Sequence, residues 1–195
     1  MSISKLHSHE LIRKAIHLSS SIIPLSYWFL ADRTLTLQIV ILLSLGFLTA
    51  DYLRLKSAVI EKVFLQVFGS ALRPHEQKNL TGATYVFTGS VVAIFLFPKE
   101  IAVPALLILS ISDTLAALIG IPFGKHKFLK KSLEGSTAFF ISTTIILSLF
   151  FPAGIVINII IAAIVTLAEA YPMNLDDNFL IPILSGCLLS IASLL

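Results

Sequence analysis

Long apolar runs separated by short polar segments make up most of this chain. Seven such runs can be drawn, with approximate bounds at residues 15–31, 35–53, 82–97, 101–121, 134–151, 153–171 and 178–195. Each is close to the roughly 17–25 residues that a helix needs to cross a bilayer. The pattern predicts an all-α, polytopic membrane helix bundle with about seven transmembrane helices.

Residues 55–72 follow a different pattern, in which apolar residues recur every three or four positions. The apolar set is Leu55, Ala58, Val59, Val63, Phe64, Val67, Phe68, Ala71 and Leu72. Polar residues occupy the other face, including Lys56, Glu61, Lys62 and Gln66. This predicts an amphipathic helix on the membrane surface and not an eighth span. A half-buried helix packed on the bundle is the alternative.

The composition agrees with a membrane protein. Hydrophobic residues make up 56% of the chain and charged residues 13%, and the mean hydropathy is +0.94. These values lie outside the range of soluble globular proteins. Cys187 is the only cysteine, so the chain has neither an intrachain disulfide nor a Cys-based metal site. We interpret residues 1–195 as a single integral membrane domain.

The positive charge is sorted by predicted membrane side. With the N-terminus in the cytoplasm, all but two of the 14 Lys and Arg residues fall in cytoplasmic segments, and only Arg33 and Lys99 fall outside. This is the asymmetry of the positive-inside rule. The net charge of +3 therefore needs no nucleic-acid partner to explain it. We expect a multi-pass plasma-membrane protein with a cytoplasmic N-terminus.

Asp113 lies within the predicted span 101–121, where a charge costs about 2.5–3.5 kcal/mol on insertion scales. Small residues Ser112, Ala116 and Gly120 recur every four positions beside it, and such a face lets helices approach closely. That face packs either within the bundle or between protomers, so a homo-oligomer is an open alternative. No basic residue lies within a span as an obvious partner, which favours a metal or phosphate role for Asp113. A structural acid paired with a buried Arg or Lys is the alternative.

Further acids lie on the same predicted side. Glu169 ends the sixth apolar run, and Asp176, Asp177 and Asn178 precede or begin the seventh. Asp and Asn are preferred at helix N-caps, which accounts for one of these residues. A bound cation would explain the others, since Mg²⁺ is held by a few carboxylates together with phosphate oxygens.

A basic loop follows Asp113. It holds Lys125, Lys127, Lys130 and Lys131, flanked by Gly120, Gly124 and Gly135, and Ser132 is placed to cap the next helix. Helix N-termini and lysines bind phosphate, which we predict for Lys125 and Lys131. We interpret Lys127 and Lys130 as ordinary positive-inside residues. The loop is not a P-loop, because G-x-x-x-x-G-K-[ST] is absent.

Two further sets of polar residues lie at the starts of apolar runs. Arg13, Lys14 and His17 precede or begin the first, and Arg13 and His17 share a helix face. Arg73 and Thr84 belong to the segment that enters the third. Asp51 and Arg54, by contrast, are interpreted as an ordinary interfacial helix end.

At these residues the chain resembles the polyprenol and lipid-alcohol kinases: dolichol, phytol and farnesol kinases and the CTP-dependent diacylglycerol kinase of yeast. The matching residues are spread from 13 to 182, and comprise Arg13-Lys14-x-x-His17, Arg73-x-x-Glu76, Thr81-Gly82-Ala83-Thr84-Tyr85, Asp113-Thr114-x-Ala116-Ala117-x-x-Gly120, Phe123-Gly124-Lys125, Lys131-Ser132-x-Glu134-Gly135-Ser136, Glu169, Asp177-Asn178 and Pro182. The resemblance implies a membrane kinase that transfers the γ-phosphate of a nucleoside triphosphate, typically CTP, to a lipid hydroxyl at the cytoplasmic face. The short chain makes a prokaryotic plasma membrane the expected location.

Roles follow as a hypothesis. Asp113 binds Mg²⁺, with Glu134, Glu169 and Asp177 as helpers. Glu169 or Asp113 accepts the hydroxyl proton, and His17 is a further candidate catalytic residue. Contacts to the nucleotide and its phosphates are assigned to Arg13, Lys14, Arg73, Thr84, Lys125, Lys131, Ser132, Gly135, Ser136 and Asn178.

Two other functions stay open. A cytidylyltransferase acting on phosphatidic acid would use similar acids and lysines, but it would release pyrophosphate. A small transporter or channel would need polar residues through the full depth of the membrane, whereas these residues crowd one side.

Overall fold

The structure, a computed structural model, describes residues 3–171 and 175–194, with side chains described from residue 10 onward. It is a helix bundle with one small hairpin. The helices are α1 (Ile3–Ser19), α2 (Ile22–Phe29), α3 (Arg33–Lys56), α4 (Ala58–Phe68), α5 (Gly82–Leu96), α6 (Lys99–Leu107), α7 (Asp113–Phe123), α8 (Leu133–Phe150), α9 (Ile155–Ala170) and α10 (Asp177–Ala192). The strands of the hairpin are β1 (Lys127–Phe128) and β2 (Lys131–Ser132), and short 3₁₀ turns cover Gly69–Ala71 and Pro74–Gln77.

The all-α prediction is confirmed, whereas the number of spans is not. Among the described residues, three helices are long and apolar enough to cross a membrane: Arg33–Lys56, Lys99–Phe123 and Leu133–Phe150. Helices α5, α9 and α10 are apolar but shorter. Their ends lie within a few residues of the predicted bounds, since polar, Pro or Gly residues border each apolar run.

The first predicted span, 15–31, is two helices and not one. Helix α1 ends at Ser19 and α2 begins at Ile22. The Ser19 and Ser20 hydroxyls each donate a 2.6 Å hydrogen bond to a carbonyl three residues earlier, which offers the backbone an alternative to the helical ladder. Pro24, in the first turn of α2, has no N–H to give to a continuous helix.

The segment Lys99–Phe123 is the central helix of the bundle, and residues 101–110 are all buried. A π-helical turn at Ile108–Ser112 joins α6 to α7 immediately before Asp113. Such widened turns are rare and frequently occur at functional sites. The turn therefore sets the direction in which the first residue of α7 presents its carboxylate.

Small residues let α7 and α8 approach closely, as predicted. A Cβ added at Gly135 would lie 2.8 Å from the carbonyl oxygen of Ala116, and one added at Gly120 would lie 3.2 Å from the Cα of Gly135. Further along, the hydroxyls of Thr143 and Ser112 are 3.1 Å apart. The small-residue face of the central helix is thus used within this chain.

Helix α4 has an apolar stripe that the rest of the chain leaves uncovered. Val59, Val63 and Val67 are 75%, 56% and 62% exposed. The opposite side packs on α3, where the ring of Phe64 lies 5.1 Å from the guanidinium of Arg54. The exposed stripe fits the predicted amphipathic surface helix, and the contact with α3 fits the packed alternative in part.

Asp51 and Arg54 do not form an interfacial helix end, because both are 1% exposed. Arg54 bonds Asp51 at 2.6 Å and also donates to the backbone carbonyls of Glu76, Gln77 and Asn79. Burial of an arginine is tolerated when its donors are satisfied in this way. The pair ties the end of α3 to the segment that leads into α5.

The hairpin after α7 was not predicted, since its strands have only two residues each. Lys127 pairs with Ser132 and Phe128 with Lys131. Leu129 at its tip has a φ of +52°, a conformation uncommon for residues other than glycine. The Lys130 N–H donates to the carbonyl of Ala170 at 3.1 Å, so the hairpin is fastened to the end of α9.

Candidate functional site

Asp113 is bound by two side chains of α1. Lys14 Nζ donates to Asp113 Oδ2 and, at 3.1 Å, to the Asp113 carbonyl oxygen. His17 Nε2 lies 3.3 Å from the same Oδ2 and 2.9 Å from the carbonyl oxygen of Leu109. All three side chains are at most 7% exposed. Positions 14 and 17 lie on one helix face, so α1 directs both toward the first turn of α7.

The expectation that Asp113 has no basic partner is therefore wrong. Lys14 and His17 belong to α1, which packs across α7 and the π-helical turn before it. The structure supports the alternative of a paired acid for Oδ2. The hydrogen bonds and ion pairs of this carboxylate within the described residues all go through Oδ2, while Asp113 also lines the large polar cavity described next.

A cavity of about 580 Å³ opens beside Asp113, and its walls are rich in charge. This volume is in the usual range for small-molecule sites. Its cationic wall residues are Arg13, Lys14, Arg73, Lys125, Lys127, Lys130 and Lys131. The acidic ones are Glu10, Asp113 and Glu169. The excess of cations gives the cavity the charge that a polyanion would complement.

Lys131 links the hairpin to α9 inside this cavity. Its Nζ donates to Glu169 Oε1 at 2.5 Å and lies 3.8 Å from Asp177 Oδ2. Burial alone would lower the pKa of Lys131, but the Glu169, Asp113 and Asp177 carboxylates outweigh it and the pKa is raised. Lys131 is therefore a fixed cation at any physiological pH.

Two residues of the cavity wall each have a buried polar atom with no hydrogen-bond partner within the described residues. These atoms are Ser136 Oγ and Glu169 Oε2. Ser136 is 3% and Glu169 is 1% exposed. Buried polar groups almost always have a hydrogen-bond partner. Two such atoms without one indicate that a group other than these residues supplies their hydrogen bonds.

Ser132 caps α8, as predicted. Its Oγ accepts a hydrogen bond from the Gly135 N–H at 3.2 Å. The Gly135 N–H was predicted to bind phosphate, but this bond already uses it. The absence of a side chain at Gly135 lets α7 approach closely. The cap holds the cavity-facing turn of α8 in a defined position.

The structure gathers ten of the predicted site residues around this one cavity. They are Arg13, Lys14, Arg73, Asp113, Lys125, Lys131, Ser132, Gly135, Ser136 and Glu169. Five others do not line it: His17, Thr84, Glu134, Asp177 and Asn178.

His17 contacts Asp113 and Leu109, as described above, and the other four bind different neighbours. Thr84 donates to Asp51 at 2.5 Å, inside the network around Arg54, so the predicted phosphate contact has no support here. Glu134 bonds the ring of His126 at 2.9 Å, and Asp177 binds Lys130 at 3.1 Å. Asn178 donates to the Gly82 carbonyl at 3.4 Å, which joins α10 to α5.

Sequence reasoning missed four ionisable wall residues: Glu10, His126, Lys127 and Lys130. The lysines had been interpreted as ordinary positive-inside charges, and only the turn of the hairpin shows that they face the cavity. Glu10 accepts from Arg13 three residues later, and the acid at this helical spacing was the one available signal.

The four carboxylates predicted to share a metal do not form a common cluster. Among the described residues, no group of three or more His, Cys, Asp and Glu side chains is placed to hold a metal ion. Mg²⁺ in phosphate sites commonly takes only one or two carboxylates, with phosphates and water as its other ligands. Asp113 and Glu169 fit that arrangement because both line the cavity and Glu169 Oε2 has no partner among the described residues.

The chain is similar in sequence to several known proteins, although no family model and no solved structure matches it. It is 34% identical to an uncharacterised protein of Rickettsia prowazekii over 187 residues, which cover 90% of both chains. It is 29% identical to CTP-dependent diacylglycerol kinase 1 of Schizosaccharomyces pombe, over 93% of this chain and 92% of that enzyme. The enzyme of the same name from Eremothecium gossypii is 28% identical over 91% of this chain and 65% of its own.

Each of these three similarities covers at least 90% of this chain. The Rickettsia protein is aligned over 90% of its own length as well as 90% of this chain. The fungal relatives carry the name of a lipid kinase. The chain belongs to the lipid kinase family that includes the CTP-dependent diacylglycerol kinases.

Proposed function

We propose that this protein transfers the γ-phosphoryl group of CTP to the hydroxyl of a lipid alcohol, with diacylglycerol as the first candidate acceptor. The polar cavity is the nucleotide site, and we place it at the cytoplasmic face. Polyprenols and phytol-like alcohols are the other candidate acceptors. CTP and diacylglycerol come from the names of the fungal relatives.

The observation that carries the proposal is the cationic cavity with two unsatisfied buried oxygen atoms. Seven Lys and Arg side chains line it, together with Ser136 and Glu169, whose buried Oγ and Oε2 atoms lack partners among the described residues. A triphosphate supplies the negative charge that the cationic side chains complement and an acceptor for the Ser136 hydroxyl. Glu169 Oε2 is itself an acceptor and takes a donor, which the lipid hydroxyl supplies. Charge-assisted hydrogen bonds of this kind are the strong ones.

The chain's own residues divide the work of phosphoryl transfer, which depends mainly on positioning and charge neutralisation. Lys125, Lys127 and Lys131 bind phosphate oxygens from the hairpin side, and Arg13 and Arg73 do so from the opposite wall. Ser136 Oγ donates to a phosphate oxygen. The bond between the γ-phosphorus and its bridging oxygen breaks, the lipid oxygen bonds to phosphorus, and CDP leaves.

Glu169 is the proposed acceptor of the lipid hydroxyl proton, because its Oε2 has no partner in the part of the chain that the structure describes. Its other oxygen is held by Lys131, so the carboxylate has a fixed orientation. Asp113 would hold a magnesium ion together with the phosphates, and Lys14 and His17 orient its carboxylate through Oδ2. When bound, magnesium neutralises charge that develops on the phosphate oxygens.

A panel of substrates tests the proposal. The purified protein in detergent micelles is given CTP, ATP, GTP or UTP with Mg²⁺, and dioleoylglycerol, a polyprenol or phytol. We expect phosphorylated lipid with CTP, and loss of turnover in Asp113→Asn and Glu169→Gln. The matched control is Glu61→Gln on α4, which lines neither this cavity nor the apolar one described below.

Two results would overturn the proposal. One is the absence of nucleotide turnover with every lipid in a protein that is folded by thermal melting. The other is full activity in both acid variants. Release of pyrophosphate would indicate the cytidylyltransferase alternative.

A further inference from the structure

A second cavity, of about 420 Å³, lies on the other side of α1. It is enclosed by the break between α1 and α2, by α3, α4 and α5, and by the turn after α4. The rings of Phe47 and Phe87 stack at 4.8 Å between centroids in its wall, and Leu43, Phe64 and Val86 add aliphatic and aromatic surface. A cavity of this volume with mostly apolar walls fits a hydrocarbon ligand.

The polar end of this apolar cavity meets the nucleotide cavity at α1. Arg13 lines both of them. His17 lines the apolar cavity, and its Nε2 lies 3.3 Å from Asp113 Oδ2, which belongs to the polar one. The wall between the two cavities is therefore only one or two side chains thick at this point.

The apolar cavity also borders the surface helix α4. Phe64 and Phe68 of that helix are wall residues, and Phe68 is half exposed. The exposed stripe of Val59, Val63 and Val67 lies on the same helix. An amphipathic helix with such a stripe buries it at the boundary between lipid headgroups and acyl chains. The cavity is thus placed beside the acyl region of the bilayer.

We propose that an acyl chain of the acceptor lipid occupies the apolar cavity, so that the lipid hydroxyl lies at the Arg13–His17 end. This rests on the proposed function and specifies how the acceptor binds. A lipid alcohol has two parts that match this site. Its hydrocarbon tail packs against the aromatic wall, and its hydroxyl lies at the junction with the polar cavity. The bilayer next to α4 is the source of this ligand.

A cavity-filling substitution tests the assignment. Ala83 is a small wall residue on α5, and Ala83→Phe places a ring where the acyl chain would lie. The matched control is Leu42→Phe on α3, a 73% exposed position next to the wall residue Leu43 that does not itself line the cavity. A ligand that fits an apolar pocket poorly is discriminated against by about tenfold to hundredfold.

We expect Ala83→Phe to raise the KM for dioleoylglycerol, measured as its mole fraction in mixed micelles, roughly tenfold to hundredfold. The KM for CTP should not change, and Leu42→Phe should behave as wild type. If Ala83→Phe gives the same lipid KM as the control, the assignment is wrong even though the kinase activity stands.

A photoactivatable diacylglycerol provides a readout that needs no catalysis and no variant. With a diazirine in its acyl chain, it should label wild-type peptides from α3, α4 and α5 that line the cavity, and excess dioleoylglycerol should reduce the labelling. Labelling confined to other helices would overturn the assignment. Labelling of the cavity in a protein that phosphorylates no lipid would instead keep the binding site and refute the proposed activity.

Discussion

The buried pair of Lys14 and Asp113 makes the most demanding prediction. Their side chains are 3% and 7% exposed, and Lys14 bonds both the carboxylate and the backbone carbonyl of Asp113. Removal of one partner from a buried pair costs about 3–5 kcal/mol, because the remaining charge is left without compensation. Lys14→Met and Asp113→Asn should each lose about this much stability.

The double variant separates pairing from chemistry. With both charges removed, the desolvation cost of each disappears, so Lys14→Met/Asp113→Asn should recover most of the stability that either single variant loses. At roughly 2–4 °C per kcal/mol for a chain of this size, the single variants should melt about 6–20 °C lower than wild type. The double variant should melt close to wild type.

The assay is thermal melting of the four proteins in one detergent, together with their kinase activity. The two variants that contain Asp113→Asn should be inactive, since Asp113 is needed for turnover whether or not the protein is stable. Losses that simply add in the double variant would show that the pair does not exist in the protein. Activity in the double variant would refute the role of Asp113.

Three further substitutions test separate parts of the structure. Gly135→Ala puts a Cβ 2.8 Å from a carbonyl of α7 and should destabilise the protein by about 1–3 kcal/mol, whereas Gly46→Ala, with nothing within 4 Å, should be neutral or slightly stabilising in the same melting assay. Ser136→Ala removes a hydroxyl that has no partner among the described residues, so stability should hold while the KM for CTP rises roughly tenfold or more; an unchanged KM would remove Ser136 from the phosphate site. Thr84→Val breaks the bond to Asp51 and should cost about 1–3 kcal/mol with no change in the KM for CTP, and a selective rise in that KM would restore the predicted phosphate contact.

Helix ends were readable from the sequence because they depend on local composition. Residues 82–97 and 134–151 were predicted as spans, and the helices cover Gly82–Leu96 and Leu133–Phe150. The break after Ser19 was not readable, since the apolar run 15–31 continues through it and the helix ends there through side-chain bonds of two serines. The two-residue strands of the hairpin are too short to give an alternating pattern.

The site was predicted as a set of residues but not as an arrangement. Charge sorting placed Arg13, Lys131 and Glu169 on one side of the membrane, and they do line one cavity. The partner of Asp113 was missed because Lys14 lies 99 residues away and meets it only through the packing of α1 on α7. Thr84 was predicted to contact phosphate because it lies at the start of a helix. In the structure its side chain is buried and donates to Asp51.

The fate of a labelled phosphate tests the proposed reaction most directly. The purified protein in micelles of dioleoylglycerol is given Mg²⁺ and CTP labelled with ³²P at the γ-position, and lipid and aqueous products are separated. Phosphoryl transfer predicts that the label enters the lipid fraction in equal amount to the unlabelled CDP formed. Label in pyrophosphate, or in inorganic phosphate with none in the lipid, would contradict it.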